Sequence, residues 1–210
     1  MRIRNVKNKE EILNNSKFLV KDYKSNITSW SKLFNNNNPI YIEIGMGKGK
    51  FIIENAKKYP NINFIGIERF DSILAKALPK IDNGINNLLI IRMNALEIDE
   101  VFDKEIDRIY LNFSDPWPKV RHHNRRLTSE IFLNKYDKIF KGKKEIYLRT
   151  DNPDLYTYSI ETLSKHKYEL FDVTFDLHKK EENLITTEYE DKFVSKNMPI
   201  YSLKAIKEDV

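Results

Sequence analysis

Three clusters in this sequence hold residue types that can do chemistry. The first is Glu43-Ile44-Gly45-Met46-Gly47-Lys48-Gly49. Alternating glycines let a backbone turn tightly and approach a ligand where a Cβ would clash. A second acid closes Gly66-Ile67-Glu68, at the position where a carboxylate meets a ribose diol. The spacing competes with the dinucleotide fingerprint G-x-G-x-x-G, whose backbone amides hold a pyrophosphate. Here Gly49 comes one residue early, and Glu43, two residues before Gly45, would repel a pyrophosphate. A carboxylate there suits the cationic amino-acid end of S-adenosylmethionine. No Tyr-x-x-x-Lys pair for hydride transfer accompanies the loop.

The second cluster is Asn112-Phe113-Ser114-Asp115-Pro116-Trp117-Pro118-Lys119, followed by Arg121-His122-His123-Asn124-Arg125-Arg126. Two prolines stiffen this loop, Asp115 places an acid between apolar groups, and Trp117 offers a face on which a base could stack. The cations beside it suit phosphate better than a random solvated run would. The two histidines lack a carboxylate or further histidine at ligand spacing, so a metal is not expected. The third cluster is smaller. Asn94 could read an adenine edge with its amide or simply cap a helix. Asp151, in Asp151-Asn152-Pro153, could serve a substrate or start a helix.

These residues fall at the ends of short apolar runs. The runs are Ile40–Ile44, Ile62–Ile67, Leu88–Arg92, Arg108–Phe113 and Glu145–Thr150. Helix-length segments alternate with them: Lys50–Tyr59, Asp71–Ile81, Ala95–Phe102, Ser129–Phe140 and Pro153–Lys165. Such alternation predicts an α/β fold, a mostly parallel sheet with helices on both faces, and ligands at the carboxyl ends of its strands. Tyr168–Asp176 and Ile200–Ile206 read as an antiparallel edge pair joined by a long loop without a strong helix. Residues 1–38, with an amphipathic stretch over Glu11–Val20, are expected to be an N-terminal extension, and 39–210 the main domain. The basic start (Arg2, Arg4, Lys7, Lys9) reads equally as an RNA-gripping arm or a solvated tail.

Composition narrows the classes. The 210 residues carry a net charge of +5, which leans modestly towards a polyanionic partner. With no cysteine, disulfides, thiolate metal sites and cysteine nucleophiles are excluded. No apolar run reaches the roughly 20 residues of a membrane span, and the first residues lack a signal core. The expectation is a cytoplasmic protein without membrane or metal partners, monomeric or homodimeric.

The segments EIGMGKGKF (43–51), FIGIER (64–69), NFSDPWPK (112–119), RHHNRRLT (121–128), LRTDNPDLY (148–156) and TTEYEDKF (186–193) together resemble the bacterial tRNA guanine-N7-methyltransferases. The first occurs in many methyltransferases. DPWPK with its basic run and the late T-x-Y-E-x-K-F pattern are far more specific. The resemblance covers most of the chain beyond about residue 38. It implies a Rossmann-like, seven-stranded S-adenosylmethionine-dependent fold that methylates a variable-loop guanosine of tRNA. It further implies that Glu43, Gly45, Gly47, Gly49, Glu68, Asn94 and Asp115 contact or flank the cofactor. Lys119, Asp151 and the Thr187–Glu190 segment, with Tyr189 a candidate to pack the base, would hold the substrate. Arg121, His122, His123, Asn124, Arg125 and Arg126 would lie against RNA. Asp115 is the expected catalytic carboxylate. Asn94 stands where an Asp is common, and Val120 interrupts a basic stretch that is usually richer. A methyltransferase for another RNA or small acceptor would leave the basic run and the late motif idle. A non-catalytic RNA-binding module gives no reason for the acid-flanked glycine loop.

Overall fold

The structure, a computed structural model, describes residues 6–24 and 29–208; Arg2 and Arg4 lie outside them. The chain opens with α1 (Lys9–Asn15), β1 (Leu19–Val20) and α2 (Trp30–Phe34). Strict alternation follows: β2 (Ile40–Ile44), α3 (Lys50–Lys58), β3 (Asn63–Glu68), α4 (Asp71–Ala77), β4 (Leu88–Arg92), α5 (Ile98–Val101), β5 (Arg108–Asn112), α6 (Glu130–Ile139), β6 (Lys144–Thr150) and α7 (Pro153–Lys165). The chain closes with β7 (Glu169–Thr174), α8 (Leu177–Lys180), α9 (Glu188–Val194) and β8 (Tyr201–Lys207).

The strands form one sheet in the order β1-β4-β3-β2-β5-β6-β8-β7. It has eight strands rather than the seven expected, the extra one being the two-residue β1 beside β4. The antiparallel strand, β8, lies one in from the edge, paired with both β6 and β7. The 174–200 connection is also more ordered than its weak periodicity suggests. It contains α8 and α9, both too short to show a helical repeat.

Burial explains the central strands. β3 is buried along its whole length, as a parallel strand covered on both faces must be. One core lies among α2, α5, α6 and α7, where Trp30, Tyr136 and Ile109 are fully buried. The other lies among α1, α3 and α4, with Leu74, Ala77 and Ile90. Residues before 39 are woven into this body. Trp30 is 0% exposed, its indole donating to the Val101 carbonyl (3.1 Å). Phe18 supplies a carbonyl to the Ile90 amide (2.8 Å). Pro39 therefore marks a change of pattern and not the start of packing.

The turn after β2 depends on a close approach. Met46, 5% exposed, lies across β3 at Gly66, where an added Cβ would come 2.3 Å from its sulfur and 2.9 Å from Ile90 Cδ1. Gly66→Ala should therefore destabilise the fold by about 1–3 kcal/mol, the usual cost of overpacking a filled core. Urea unfolding measures this directly, and an unchanged midpoint would mean that Met46 moves aside without cost.

Candidate active site

The glycine loop, Glu68, Asn94, Asp115 and Asp151 all follow strands of the parallel set, so topology brings them to one rim of the sheet. The loop after β2 turns through Gly45, Gly47 and Gly49, at φ of 80°, 58° and 84°. The Gly45 and Met46 amides both bond the Ile67 carbonyl (2.8 and 3.0 Å), which ties the loop to β3. Open space lies where Cβ atoms of residues 45 and 47 would stand, so the loop offers bare backbone to a ligand.

Glu43 is 1% exposed and accepts a hydrogen bond from Asn112 Nδ2 (2.9 Å), while its Oε2 has no partner in the protein. Burial pushes its carboxyl up to about 8, against the stabilising Asn112 bond and the nearby Arg149 charge. An orphaned, buried carboxylate oxygen beside a bare glycine turn is a socket for a cationic ligand group. Glu68, 7% exposed, accepts from the backbone amides of Arg69 and Phe70 (2.8 and 3.0 Å) through Oε1. Burial raises its pKa as well, although those amides oppose the shift. Asn94 is exposed at the end of β4. Its Oδ1 accepts from the Leu96 amide (3.1 Å), so it caps the next turn and presents its NH2 end as a donor. Beside it opens a cleft of about 560 Å³ lined by Tyr23, Arg69, Phe70, Asp71, Arg92, Met93, Asn94 and Glu97.

The loop after β5 is held under strain. Phe113 and Trp117 have φ of 51° and 41°, a conformation that costs a bulky side chain on the order of 1–3 kcal/mol. Two contacts hold it there. The Phe113 amide bonds the Arg149 carbonyl (2.8 Å), and Arg126 reaches back to the carbonyls of Pro116 (2.8 Å) and Trp117 (3.4 Å). Arg126 is 3% exposed and lies over the Tyr158 ring. Arg126, expected among the RNA-facing residues, is thus buried and gives its Nε and one Nη2 donor to carbonyls inside the fold. Lys119, Arg121, Asn124 and Arg125 are exposed, and His122 and His123 half-buried. Arg125 stacks on one face of Trp117 (4.9 Å) with His122 at its edge, so that face is not an open platform for a base. Asp115 stands exposed on the same loop.

Asp151 follows β6. Asn152, not Asp151, caps α7, accepting from the Leu155 amide (2.8 Å) with Pro153 at the first helical position. That leaves the Asp151 carboxylate to the rim, and burial together with this neighbouring carboxylate raises the pKa of Tyr189. Tyr189 stacks on Phe193 (4.6 Å) and tilts against Phe113 (5.2 Å), which joins α9 to the β5 loop.

Thr187 and Glu190, the other two residues of the late motif expected to contact substrate, are bonded to each other. Thr187 Oγ1 accepts from the Glu190 amide (2.9 Å), and Glu190 Oε2 accepts from the Thr187 amide (3.2 Å), a reciprocal capping box. Glu190 is fully buried and also meets Arg149 (3.3 Å) and His178 (2.8 Å). Both its oxygens are committed within the protein. Residues the sequence reading passed over anchor the same segment. Lys50 binds Thr186 (2.8 Å) and Asp191 (2.5 Å), and Lys80 binds Glu188 (2.6 Å) and the Lys48 carbonyl (3.1 Å). Arg149 donates to the Ile185 carbonyl (2.8 Å). The sequence signal for it is an arginine inside β6, on the face opposite buried Ile146, Leu148 and Thr150. Among the described residues no group of three His, Asp or Glu is placed to hold a metal, and no helix is long and apolar enough to cross a membrane.

A family model described as "Putative methyltransferase" matches residues 37–203. The chain is 46% identical to a tRNA (guanine-N(7)-)-methyltransferase of Lachnoclostridium phytofermentans, over 99% of each chain. It is 47% identical to that of Oceanobacillus iheyensis over 93% of each, and 49% identical to that of Listeria welshimeri over 84% of each. Among solved structures it resembles the 16S rRNA methyltransferase KamB (TM-score 0.66, 12% identity, 86% of this chain and 93% of that one). It also resembles an antibiotic-related methyltransferase (TM-score 0.62, 16% identity, 90% and 99%). At such identities these last two establish the fold alone.

The Glu43 geometry has a consequence for the protein free of ligand. Its folded-state pKa is raised, so the fold retains a proton that the unfolded chain releases above the ordinary carboxylate range. Its contribution to stability is thus fullest at low pH and declines as pH rises towards about 8. Urea midpoints taken from about pH 5 to pH 8 should fall more steeply for the wild type than for Glu43→Gln. Parallel profiles would show that Glu43 is not held neutral.

Proposed function

The chain belongs to the tRNA (guanine-N(7)-)-methyltransferase family, and from that premise we propose that it methylates N-7 of a guanosine in the variable loop of tRNA, using S-adenosylmethionine, in the cytoplasm. One observation carries the reading: near full-length identity to such enzymes in a chain whose glycine turn is built around a buried acid with an unpartnered oxygen. The residues present fit the cofactor. Glu43 Oε2 would take the amino group of its methionine end, the bare turn at Gly45 and Gly47 would lie along it, and Gly49 lets the turn enter α3. Glu68 would accept from the ribose hydroxyls, and the Asn94 amide would donate to the adenine edge. When bound, this group supplies an electrophilic methyl on a sulfonium.

The chain's own task is positioning. N-7 of neutral guanine carries a lone pair and no proton, so no side chain need act as general base. Reacting atoms must be held in line about 3–3.5 Å apart, which can contribute roughly 7–11 kcal/mol. The purine gains positive charge as N-7 is alkylated, and a fixed carboxylate beside the ring stabilises it. Asp115 and Asp151 follow the neighbouring strands β5 and β6 and are the acids placed for this. Asp115 takes the catalytic role in this reading. Asp151, beside Tyr189, holds the guanine's N-1 and amino edge. Lys119 and the exposed Arg121, Asn124 and Arg125, with His122 and His123, meet the RNA backbone. Extruding the base costs a few kcal/mol, which those contacts offset.

The direct test is methyl transfer to tRNA transcripts with guanosine or adenosine in the variable loop, read by nucleoside mass spectrometry. We expect 7-methylguanosine from the first alone; transfer elsewhere in the tRNA would overturn the proposed position. Asp115→Asn should lower turnover by about tenfold or more when both tRNA and cofactor are saturating. Wild-type turnover would remove the electrostatic role.

The two classes of arginine separate experimentally. Replacing Arg121 and Arg125 together with Ala should weaken tRNA binding and reduce the slope of log K against log salt by about 2, leaving the melting temperature unchanged. Arg126→Ala should instead lower the melting temperature. A melting loss in the double variant would mean that its arginines brace the loop too.

A further inference from the structure

We propose that Tyr23 forms the outer wall of the adenosine pocket, so that the segment preceding the family-matched region completes the cofactor site. This rests on the S-adenosylmethionine reading above and goes beyond it in assigning a residue for which the sequence carries no motif.

Strand direction decides where this segment emerges. β1 pairs with β4 in parallel, Leu19 with Ile90 and Val20 with Ile91. A parallel strand delivers the residues that follow it to the same rim as its neighbours, and that rim is where ligands bind. Had β1 run antiparallel, its exit would lie at the far side of the sheet. Leaving Val20, the chain therefore reaches the cleft beyond β3 and β4, and Tyr23 becomes one of its lining residues.

Its placement there is held from two sides. The Tyr23 hydroxyl donates to the Arg92 carbonyl (3.1 Å), at the last residue of β4. Its neighbour Lys24 makes an ion pair with Glu97 and another with Glu100 (3.5 Å), on the turn that Asn94 caps. Behind it, the ring packs against the core that contains Ile91 and Met93. Phe70, 38% exposed, lines the same cleft, two residues after Glu68 and stacked with Arg69 (4.3 Å). The Arg92–Asp71 pair (2.9 Å) links the loops after β4 and β3. The rings of Tyr23 and Phe70, the Asn94 amide and the carboxylates of Asp71 and Glu97 thus line one cleft, with Glu68 directly before its lining residue Arg69. Flat apolar walls with polar groups at the edges are what a purine nucleoside needs, and neither wall can be supplied by the glycine loop.

The test uses the full chain and reads binding, not turnover. Calorimetry with S-adenosylhomocysteine and with 5′-methylthioadenosine would compare wild type, Tyr23→Phe and Tyr23→Ala. Tyr23→Ala should weaken both ligands by about tenfold, because the lost contact is at the adenosine they share. Tyr23→Phe keeps the ring and should stay within about threefold of wild type. The melting temperature of each variant controls for local collapse, and the KM for tRNA at saturating cofactor should not move. Wild-type affinity in Tyr23→Ala would overturn the proposal, as would a rise in tRNA KM alone, which would make the segment an RNA contact. Failure of the wild type to bind either ligand would instead strike at the cofactor reading.

Discussion

The structure depends on how it houses the charge of Arg149. This residue leaves β6 on the face towards α3, lies over the Phe51 ring (5.2 Å), and meets both the Ile185 carbonyl and the buried Glu190. A guanidinium needs many acceptors when water is excluded, and those it finds belong to the segment that carries α9. That segment is consequently fixed to the sheet beside the glycine turn. The same positive charge lowers the cost of burying Glu43. One cation thus serves two acids: it completes the packing around Glu190 and partly offsets the burial of Glu43. Glu43 keeps an unpartnered oxygen, and that residual cost is what a cationic ligand can relieve.

A similar division of labour shapes the loop after β5. Its backbone stands in a conformation that Phe113 and Trp117 would not adopt alone. The strain persists because Arg126 holds two of the loop's carbonyls from inside the fold. Its sequence neighbour Arg125 points outward and lies on Trp117. Adjacent arginines in one run therefore do opposite work, one spending its donors on the protein and the other presenting its charge to solvent. Net charge near the site overstates what is available to a polyanion.

That distinction also marks what could be read from the residues. Strand and helix positions were legible because periodicity records burial on one or both faces, and Ile40–Ile44, Leu88–Arg92 and Pro153–Lys165 have the observed limits. The chemistry-bearing ends of β2 to β6 followed from the same alternation. Side-chain direction in irregular segments was not legible. Thr187 and Glu190 have the composition of a substrate site and form a capping box, and the S/T-x-x-E spacing that announces such a box was present in the motif. Likewise Asn152 rather than Asp151 caps α7, since the residue immediately before Pro153 occupies the cap when proline takes the first helical position. β1, at two residues, is below the length at which alternation carries any signal.

The position of β1 bears on why a guanine-N7 enzyme would keep a segment that its motifs do not require. N-7 needs no proton removed, so rate depends on how narrowly the two reacting groups are held. In the proposed reading the glycine turn after β2, with Glu43 of β2 and Glu68 of β3, would constrain the methionine and ribose ends of the cofactor. The far end, beyond β4, would otherwise open onto the edge of the sheet. A two-residue strand is the shortest addition that closes this edge and sends the chain back across the rim. Leu13 and Phe18, just before it, are buried in the core that also holds Leu74 and Ala77 of α4, and a ladder of two residues needs such support. In the proposed reading, precision at the adenosine end of the pocket would rest on packing at the outermost strand, remote in sequence from every motif that identifies the site.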